Sequence, residues 1–252
     1  MYTVKDIYEW LNRFAPFSSQ ESWDNSGLIV GDMDAPVECV CLALDMTDDI
    51  LVRAQSAGAQ LIVTHHPAIF NAQKTFTSDS LAYKLAGSGI AHIAVHTPLD
   101  AASGGVNDVL ALILGLKNII TIPSLNAEGQ LIRAGEINPV SPEKFAENVG
   151  KALGTHVRYC DGGREIRRVA VCGGSGSDFL EDVIRDRVDA YVTGDFSHHH
   201  FLDAVHAGIT VVAAGHFSTE NPVIPELAEK LKAKFRNLDI KVLSQESPVK
   251  FI

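Results

Sequence analysis

The sequence predicts an α/β fold made of two similar α/β lobes that form an internal repeat. Apolar, strand-like runs alternate with amphipathic, helix-like segments along the chain, a pattern typical of largely parallel sheets. Strand-like positions also recur at a constant distance, since Val40 and Val169, like Thr64 and Thr193, are 129 residues apart. Equal distances at chemically matching positions favour two copies of one β-α-β unit over coincidence.

The first lobe opens with a predicted helix. Val4, Ile7 and Leu11 repeat at helical spacing, Thr3 can cap the segment, and Pro16 ends it. Further along this lobe, strands are expected at residues 40–44, 61–64 and 91–95, and helices at 48–56, 80–85 and 106–114.

The second lobe repeats this plan. Strands are expected at residues 169–172, 190–193, 209–213 and 240–243, and helices at 178–185, 199–206 and 225–235. The connecting stretch has weaker strands and one helix at 142–153. We expect the lobe boundary near residues 125–130, and assign residues 1–127 to the first lobe and 128–252 to the second.

The composition narrows the class of protein. The formal net charge is −10 at pH 7, which argues against nucleic acid or an anionic membrane as a main partner. The four cysteines contain no CxxC pair, and Cys39 and Cys41 alternate in a strand-like run as buried core thiols do. No leader-like start and no membrane-length apolar stretch is seen, so we expect a cytoplasmic location.

Histidines followed by carboxylates stand at the ends of predicted strands. His96 precedes Asp100 by four residues, and His216 precedes Glu220 by the same distance. Ligands bind at the strand ends of α/β folds, so two facing copies would place both motifs in the cleft between the lobes. Imidazole and carboxylate are ligands for borderline-hard divalent metals. The sequence therefore predicts a metal site in that cleft.

The pair His65-His66 is a third group of this kind. It directly follows the apolar strand 61–64. Neighbouring side chains on an extended strand point to opposite faces, so both can serve one site only if the chain turns here, which Pro67 permits. Two histidines together at this position favour metal ligation over a structural role.

Several of these side chains have alternative roles. Asp100 can cap a following helix, but its equivalence with Glu220 favours ligation. His96 matches His216 in the repeat, yet it can also support the ligands or act as an acid–base group beside them. His199 is expected to shuttle protons or contact an anionic substrate.

Two further segments are open to more than one interpretation. His198 and His200 are better explained as part of a polar helix face than as functional groups. The segment Gly173-Gly174-Ser175-Gly176-Ser177 joins a strand to a helix. Its backbone N–H groups can cradle a phosphate, or it can be a tight turn only.

Five motifs, in this order, resemble the NIF-three-like family, whose members are named GTP cyclohydrolase 1 type 2 homologues. They are Trp23-Asp24-Asn25-Ser26-Gly27-Leu28, Thr64-His65-His66-Pro67, His96-Thr97-Pro98-Leu99-Asp100, Gly194-Asp195 with His199, and Gly215-His216-Phe217-Ser218-Thr219-Glu220. The resemblance covers almost the whole chain. It implies two similar α/β lobes and a toroidal homohexamer with dinuclear metal sites facing its interior.

The resemblance also implies a ligand set and a chain type. Family members often have an acidic residue after the histidine of the Gly-Asp segment, where this chain has His200. The chain is too short for the inserted middle domain of longer members, so it resembles the compact form. Two divalent ions per chain are expected, chosen from Zn, Mn, Fe, Co and Ni. The implied metal ligands are His65, His66, Asp100, His216 and Glu220.

These observations predict a metal-dependent hydrolase. The resemblance implies a GTP cyclohydrolase-like reaction, in which water activated by the metals attacks C8 of the purine and opens the ring. His96 or His199 would move protons or hold a phosphate. The expected partners are further copies of the chain and a nucleotide or another phosphorylated small molecule. Two alternatives stay open, a non-enzymatic metal carrier or scaffold and a metal-dependent phosphoesterase.

Overall fold

Two units, each with its own sheet, make up the computed structural model, which describes residues 1–125, 127 and 129–252. The first unit comprises Met1–Ala102 and Ile224–Glu246, and the second comprises Ser103–Val223 and Ser247–Ile252. Both units combine strands with helices, so the prediction of a mixed α/β fold is confirmed.

The strands and helices are numbered here in chain order. The strands are β1 (Tyr2–Thr3), β2 (Gly27–Val30), β3 (Pro36–Val37), β4 (Cys39–Ala43), β5 (Leu61–Thr64), β6 (Ala91–Ala94), β7 (Lys117–Ile122), β8 (Ile132–Val140), β9 (Arg158–Cys160), β10 (Ile166–Ser175), β11 (Ala190–Asp195), β12 (Thr210–Ala213) and β13 (Asp239–Val242). The helices are α1 (Val4–Phe14), α2 (Asp48–Ser56), α3 (Leu81–Gly87), α4 (Thr97–Ala101), α5 (Val106–Ile113), α6 (Pro142–Leu153), α7 (Leu180–Arg185), α8 (His198–His206), α9 (His216–Glu220) and α10 (Val223–Lys234). No helix in the described part of the chain has the length and apolar character that crossing a bilayer requires.

The first unit contains a sheet in the order β13-β4-β5-β6-β2. β13, β4, β5 and β6 run parallel, and β2 is antiparallel to β6. β4 and β5 pack with α2 and α3 in a core that includes Cys41, Ile50, Ile62 and Leu85. Because parallel strands of this kind are buried on both faces, their sequences are continuous apolar runs, and this makes them recognisable in the sequence.

The second unit contains a sheet in the order β7-β8-β10-β11-β12-β9. β10, β11 and β12 run parallel, while β8 and β9 flank them in antiparallel pairings. Residues of α5 and α6 contribute to its core. The register of the parallel strands repeats in the two units, since Val40 pairs with Leu61 and Val169 pairs with Ala190.

Several helices and one strand lie where the sequence predicts them. Thr3 caps α1 with a reciprocal pair of hydrogen bonds to Asp6, an arrangement that satisfies two N–H groups at the helix start. The predicted helices at 48–56 and 142–153 and the predicted strand at 61–64 are confirmed.

Both histidine–carboxylate motifs lie on short helices. His96 immediately precedes α4, which contains Asp100, and α9 runs from His216 to Glu220. Neither short helix is among the helices predicted from the sequence. Pro98 has the fixed φ that suits a first helical turn, but a helix of one turn is too short for periodicity to reveal. Residues four apart share one helix face, so His216 and Glu220 of α9 project in one direction, whereas His96 is the cap residue before α4.

The two units do not coincide with the predicted lobes 1–127 and 128–252. Asp239 of β13 pairs with Cys39 of β4, so the chain returns to the sheet of the first unit after completing the second. Glu128, where the second lobe was expected to begin, lies outside the described residues, as does Asn126.

Burial agrees with the expected role of the cysteines. Cys39, Cys41 and Cys172 are buried free thiols, and Cys160 is half-buried. Burial raises the pKa of Cys41 to about 11, with a smaller contribution from Cys39. Cys41 is therefore a protonated core thiol rather than a nucleophile.

Candidate metal centre

Three histidines converge in the first unit. His65 and His66 follow β5, His96 follows β6, and the three side chains offer ring nitrogens within 4.8 Å of one another. The ring centroids of His65 and His66 are 4.7 Å apart. The chain turns where β5 ends, because the backbone N–H groups of both residues donate to the carbonyl of Leu44, at 3.1 and 3.0 Å. This turn lets two adjacent side chains share one site, which an extended strand would not.

Hydrogen bonds at Nδ1 orient the first two rings. Nδ1 of His65 lies 2.9 Å from the carbonyl oxygen of Val95, and Nδ1 of His66 lies 2.7 Å from Oδ1 of Asp45. A carbonyl and a carboxylate can only accept, so each Nδ1 carries the hydrogen and each Nε2 keeps its lone pair. Histidines that bind a metal through Nε2 have this tautomer and this kind of partner.

Asp24 orients the third ring. Its Oδ1 lies 2.8 Å from Nδ1 of His96, and its Oδ2 accepts from the backbone and the hydroxyl of Thr97, at 3.1 and 2.5 Å. Burial alone would raise the pKa of the Asp24 carboxyl, but the hydrogen bond and charge of His96, with hydrogen bonds from Thr97 and Asn25, hold this pKa well below its usual range. Asp24 is therefore an ionised acceptor, and His96 has the same tautomer as the other two histidines.

Asp100 brings a carboxylate to this group from the helix that follows His96. Its Oδ1 lies 3.6 Å from Nε2 of His65. His65 is fully buried and Asp100 is half-buried, so water screens this pair only weakly. A cation bound there would gain more from the carboxylate than it would at an exposed site.

The second unit carries the other histidine–carboxylate pair on one turn of helix. Nε2 of His216 lies 3.1 Å from Oε2 of Glu220, which is only 4% exposed. Nδ1 of His216 lies 2.8 Å from Oδ2 of Asp195, at the end of β11. As in the first unit, a carboxylate holds Nδ1, so Nε2 is the nitrogen that faces the second carboxylate and could serve with it as a metal ligand. Gly215 precedes the helix with a φ of +85°, a conformation that favours glycine.

Glycines allow two strands to approach this helix closely. A Cβ at Gly174 would collide with Oε1 of Glu220, and one at Gly194 would lie 2.8 Å from Cα of His216. β10 continues through Ser175, and a 3-10 turn begins at residue 177. Of the two interpretations of the glycine-rich segment, the structure favours the tight strand-to-helix connection, because the glycines make room for the carboxylate.

His199 lies at the start of α8 in the second unit. Its Nδ1 is 3.1 Å from the hydroxyl of Ser197, and its ring centroid is 4.0 Å from that of His200. His198 and His199 are exposed, and His200 is half-buried. The metal-holding groups found among the described residues do not include these three histidines. The role of His199 in proton transfer or phosphate contact therefore stays a prediction.

The donor set fits a divalent transition metal. Imidazole nitrogens with carboxylate oxygens suit zinc, manganese, iron, cobalt and nickel alike. The first unit provides His65, His66 and Asp100, and the second provides His216 and Glu220. Groups able to hold a metal ion are thus present, and the assignment of these five residues as its ligands stays a prediction.

The acids that orient the histidines are absent from the predicted ligands and catalytic residues. Asp45 follows β4 by two residues and Asp195 ends β11, so their position at strand ends is a signal that the sequence does contain. Asp24 lies 72 residues before His96, and no local pattern connects the two.

The protein is thus an α/β protein whose histidine and carboxylate groups are able to hold a metal ion. Residues 2–248 match the model of the Duf34/NIF3 (NGG1p interacting factor 3) family, and the chain belongs to this family. A Clostridium acetobutylicum protein named GTP cyclohydrolase 1 type 2 homolog is 33% identical over 247 residues, covering 94% of this chain and 92% of that protein. A Clostridium perfringens protein of the same name is 33% identical over 260 residues, covering 99% of each.

Solved structures show the same fold. The crystal structure of a Staphylococcus aureus protein matches with a TM-score of 0.89 at 28% identity, covering 100% of this chain and 99% of that one. Reduced HcgD from Methanocaldococcus jannaschii matches with a TM-score of 0.85 at 29% identity, covering 97% and 98%. Coverage of nearly the full length of both chains shows that the fold is shared from end to end.

Proposed function

We propose that this protein is a hydrolase with a dinuclear divalent-metal centre, and that its reaction resembles that of GTP cyclohydrolase 1 type 2. The observation that carries the proposal is an arrangement common to four histidines. His65, His66, His96 and His216 each have Nδ1 at an oxygen that can only accept, at distances from 2.7 to 2.9 Å. Ligation of His65, His66 and His216 through Nε2 requires this arrangement, and at His96 it leaves Nε2 available for proton transfer.

The proposed ligands come from both units of the chain. In each unit a carboxylate lies next to Nε2 of a histidine, at 3.6 Å for Asp100 and His65 and at 3.1 Å for Glu220 and His216. With His66 these make five protein ligands, and five ligands for two ions leave coordination positions for water and substrate. Open positions are typical of catalytic rather than structural metal sites.

The chain supplies its own acid–base groups. The carboxylate of Asp24 lies 2.8 Å from Nδ1 of His96 and orients the ring, so we assign proton transfer through Nε2 to His96. We assign phosphate contact or proton transfer to His199, supported by its exposure at the start of α8. A divalent ion, when bound, supplies a Lewis acid that activates water and polarises the substrate.

The assembly and the substrate belong to the same proposal. The names of the curated relatives support a nucleotide or another phosphorylated small molecule as substrate. The repeated strand register supports two copies of one unit within the chain. For the toroidal homohexamer, the direct measurement is the molar mass by light scattering after size-exclusion chromatography. The mass of a monomer or dimer would contradict the hexamer.

GTP turnover by protein stripped of metal and reloaded with Zn, Mn or Fe tests the reaction. We expect metal-dependent loss of GTP that disappears in His66→Ala and persists in His198→Ala, a matched control at an exposed histidine. Hydrolysis of phosphoesters without loss of GTP would favour the phosphoesterase alternative. Absence of turnover on both classes of substrate, with metal bound, would contradict an enzymatic role and favour a carrier or scaffold.

A further inference from the structure

Trp23 and Phe70 form an exposed aromatic surface beside His96. Trp23 is 55% exposed and Phe70 is 44% exposed. Their ring centroids are 5.6 Å apart, and each lies 5.8 Å from the centroid of the His96 imidazole. Their planes make angles of 70° and 72° with that imidazole, so both meet it in an edge-to-face geometry. The aromatic surface therefore borders the three-histidine group of the first unit.

Hydrogen bonds hold the backbone that carries both rings. Nδ2 of Asn25 donates to the carbonyl of Ile69 at 2.6 Å and so links the two segments. The hydroxyl of Ser26 donates to Oδ2 of Asp24, and its backbone N–H donates to Oε1 of Gln20 at 2.8 Å. The same aspartate orients His96, so one network positions the aromatic surface and the imidazole together.

Burial does not explain this arrangement. Large aromatic rings stabilise a fold when they are removed from water, yet these two keep about half of their surface exposed. Positioned, exposed aromatic residues on connecting segments beside a polar cluster are typical of binding sites. Flat rings of any base stack on tryptophan and phenylalanine, because every base has a π-face.

We propose that Trp23 and Phe70 are the subsite for a planar heteroaromatic ring of the substrate, such as a purine base. Because both rings lie 5.8 Å from the His96 imidazole, a base stacked on them is held beside the histidine group. This inference rests on the proposed hydrolase function and adds to it the residues that recognise the base of the substrate. A second copy of the chain is the competing occupant of the same surface, and the experiment below separates the two.

Fluorescence of Trp23 gives a direct readout of the subsite. The chain has two tryptophans, so a Trp10→Phe variant leaves Trp23 as the sole indole. The probes are guanosine and adenosine, with ribose 5-phosphate as the non-aromatic control, added to metal-loaded protein. We expect a saturable change of Trp23 emission with both nucleosides and none with ribose 5-phosphate.

Calorimetry on three variants measures the contribution of each ring. Trp23→Ala and Phe70→Ala should each weaken guanosine binding about 5-fold to 100-fold, as expected for loss of one stacking contact. Tyr83→Ala is the matched control, because Tyr83 is an aromatic residue on α3 that is 52% exposed and makes no ring contact with His96 among the described contacts. Metal content should be the same in all three variants.

Equal guanosine affinity in wild type and Trp23→Ala would overturn the proposal, as would nucleoside binding that leaves Trp23 emission unchanged. Protection of Trp23 from acrylamide quenching in the ligand-free assembly would also overturn it, because a second copy would then cover the surface. Metal analysis separates this result from the proposed function. If the protein binds metal and turns over GTP but guanosine binding does not depend on Trp23, the subsite alone is refuted. If the protein binds no metal, the proposed hydrolase function is refuted.

Discussion

Asp195 holds His216 in the second unit as Asp45 holds His66 in the first. The carboxylate oxygens lie 2.8 and 2.7 Å from the respective Nδ1 atoms. Both acids come from the ends of parallel strands, β11 and β4. Each unit therefore contains the same carboxylate–histidine pair, in which the acid holds Nδ1 of a histidine whose Nε2 is proposed to bind metal.

The first prediction concerns these acids. Asp195→Asn and Asp45→Asn should each lower metal affinity about 10-fold to 100-fold, because an amide neither fixes the tautomer nor strengthens the imidazole as a ligand. Competition with a chelating dye measures the affinity, and circular dichroism shows that the fold persists. Asp203→Asn, at an exposed position on α8, is the control. Unchanged affinity in both variants would mean that the two acids are structural only.

The second prediction concerns the space around Glu220. Gly174 has a φ of +65°, and a Cβ there would collide with Oε1 of Glu220. Gly174→Ala should therefore lose metal, in addition to a backbone cost of roughly 1–2 kcal/mol for a left-handed alanine.

Gly163→Ala is the matched control for that backbone cost. Gly163 has a φ of +78°, and a Cβ there would meet nothing within 4 Å. Metal content and urea unfolding are measured on both variants. Equal metal content in the two would show that the position of Glu220 does not matter for binding.

The third prediction concerns a buried histidine outside the candidate ligand set. Nε2 of His92 lies 2.8 Å from Oγ1 of Thr64, whose hydroxyl donates to the carbonyl of His66 at 2.6 Å. The hydroxyl therefore accepts from Nε2–H of His92. These two linked hydrogen bonds support the turn that carries the candidate ligands. Burial lowers the pKa of His92 to about 3.

This lowered pKa makes the stability of metal-free protein depend on pH. Below the ordinary histidine pKa, near 6.5, the unfolded chain takes up a proton that folded His92 does not, so stability falls as pH falls toward about 3. The expected contribution is on the order of 1 kcal/mol for each pH unit in this window. His92→Gln retains a donor for Thr64 without a titratable group and should lose this contribution. Urea unfolding of the wild type and of His92→Gln near pH 7 and near pH 4.5 measures this contribution. An equal loss of unfolding free energy between the two pH values in both proteins would contradict the prediction.

The sequence predicts those parts of the fold that depend on local chemistry. β5 is a largely apolar run that ends at Thr64, directly before His65. α6 begins at Pro142, after the cap residue Ser141, whose side chain accepts from the N–H of Lys144. Such caps and buried runs involve only neighbouring residues, so the sequence displays them directly. The same runs place the candidate ligand histidines at strand ends, where they can be recognised.

The remaining features depend on contacts between distant parts of the chain. β13 joins β4 across about 200 residues, and Asp24 reaches His96 across 72 residues, with no local pattern to announce either pairing. α9 is one turn long, so its apolar periodicity is too brief to detect. The orienting acids therefore become visible only when the hydrogen bonds at Nδ1 are known.

The number of metal ions per chain, measured by elemental analysis of reconstituted wild type and Glu220→Gln, tests the central claim most directly. We expect about two ions per chain in the wild type, as a two-metal site requires. Glu220→Gln should hold fewer with an unchanged circular dichroism spectrum, because a neutral amide is a weaker ligand than a carboxylate. One ion or none in the wild type, or full occupancy in Glu220→Gln, would contradict the dinuclear centre.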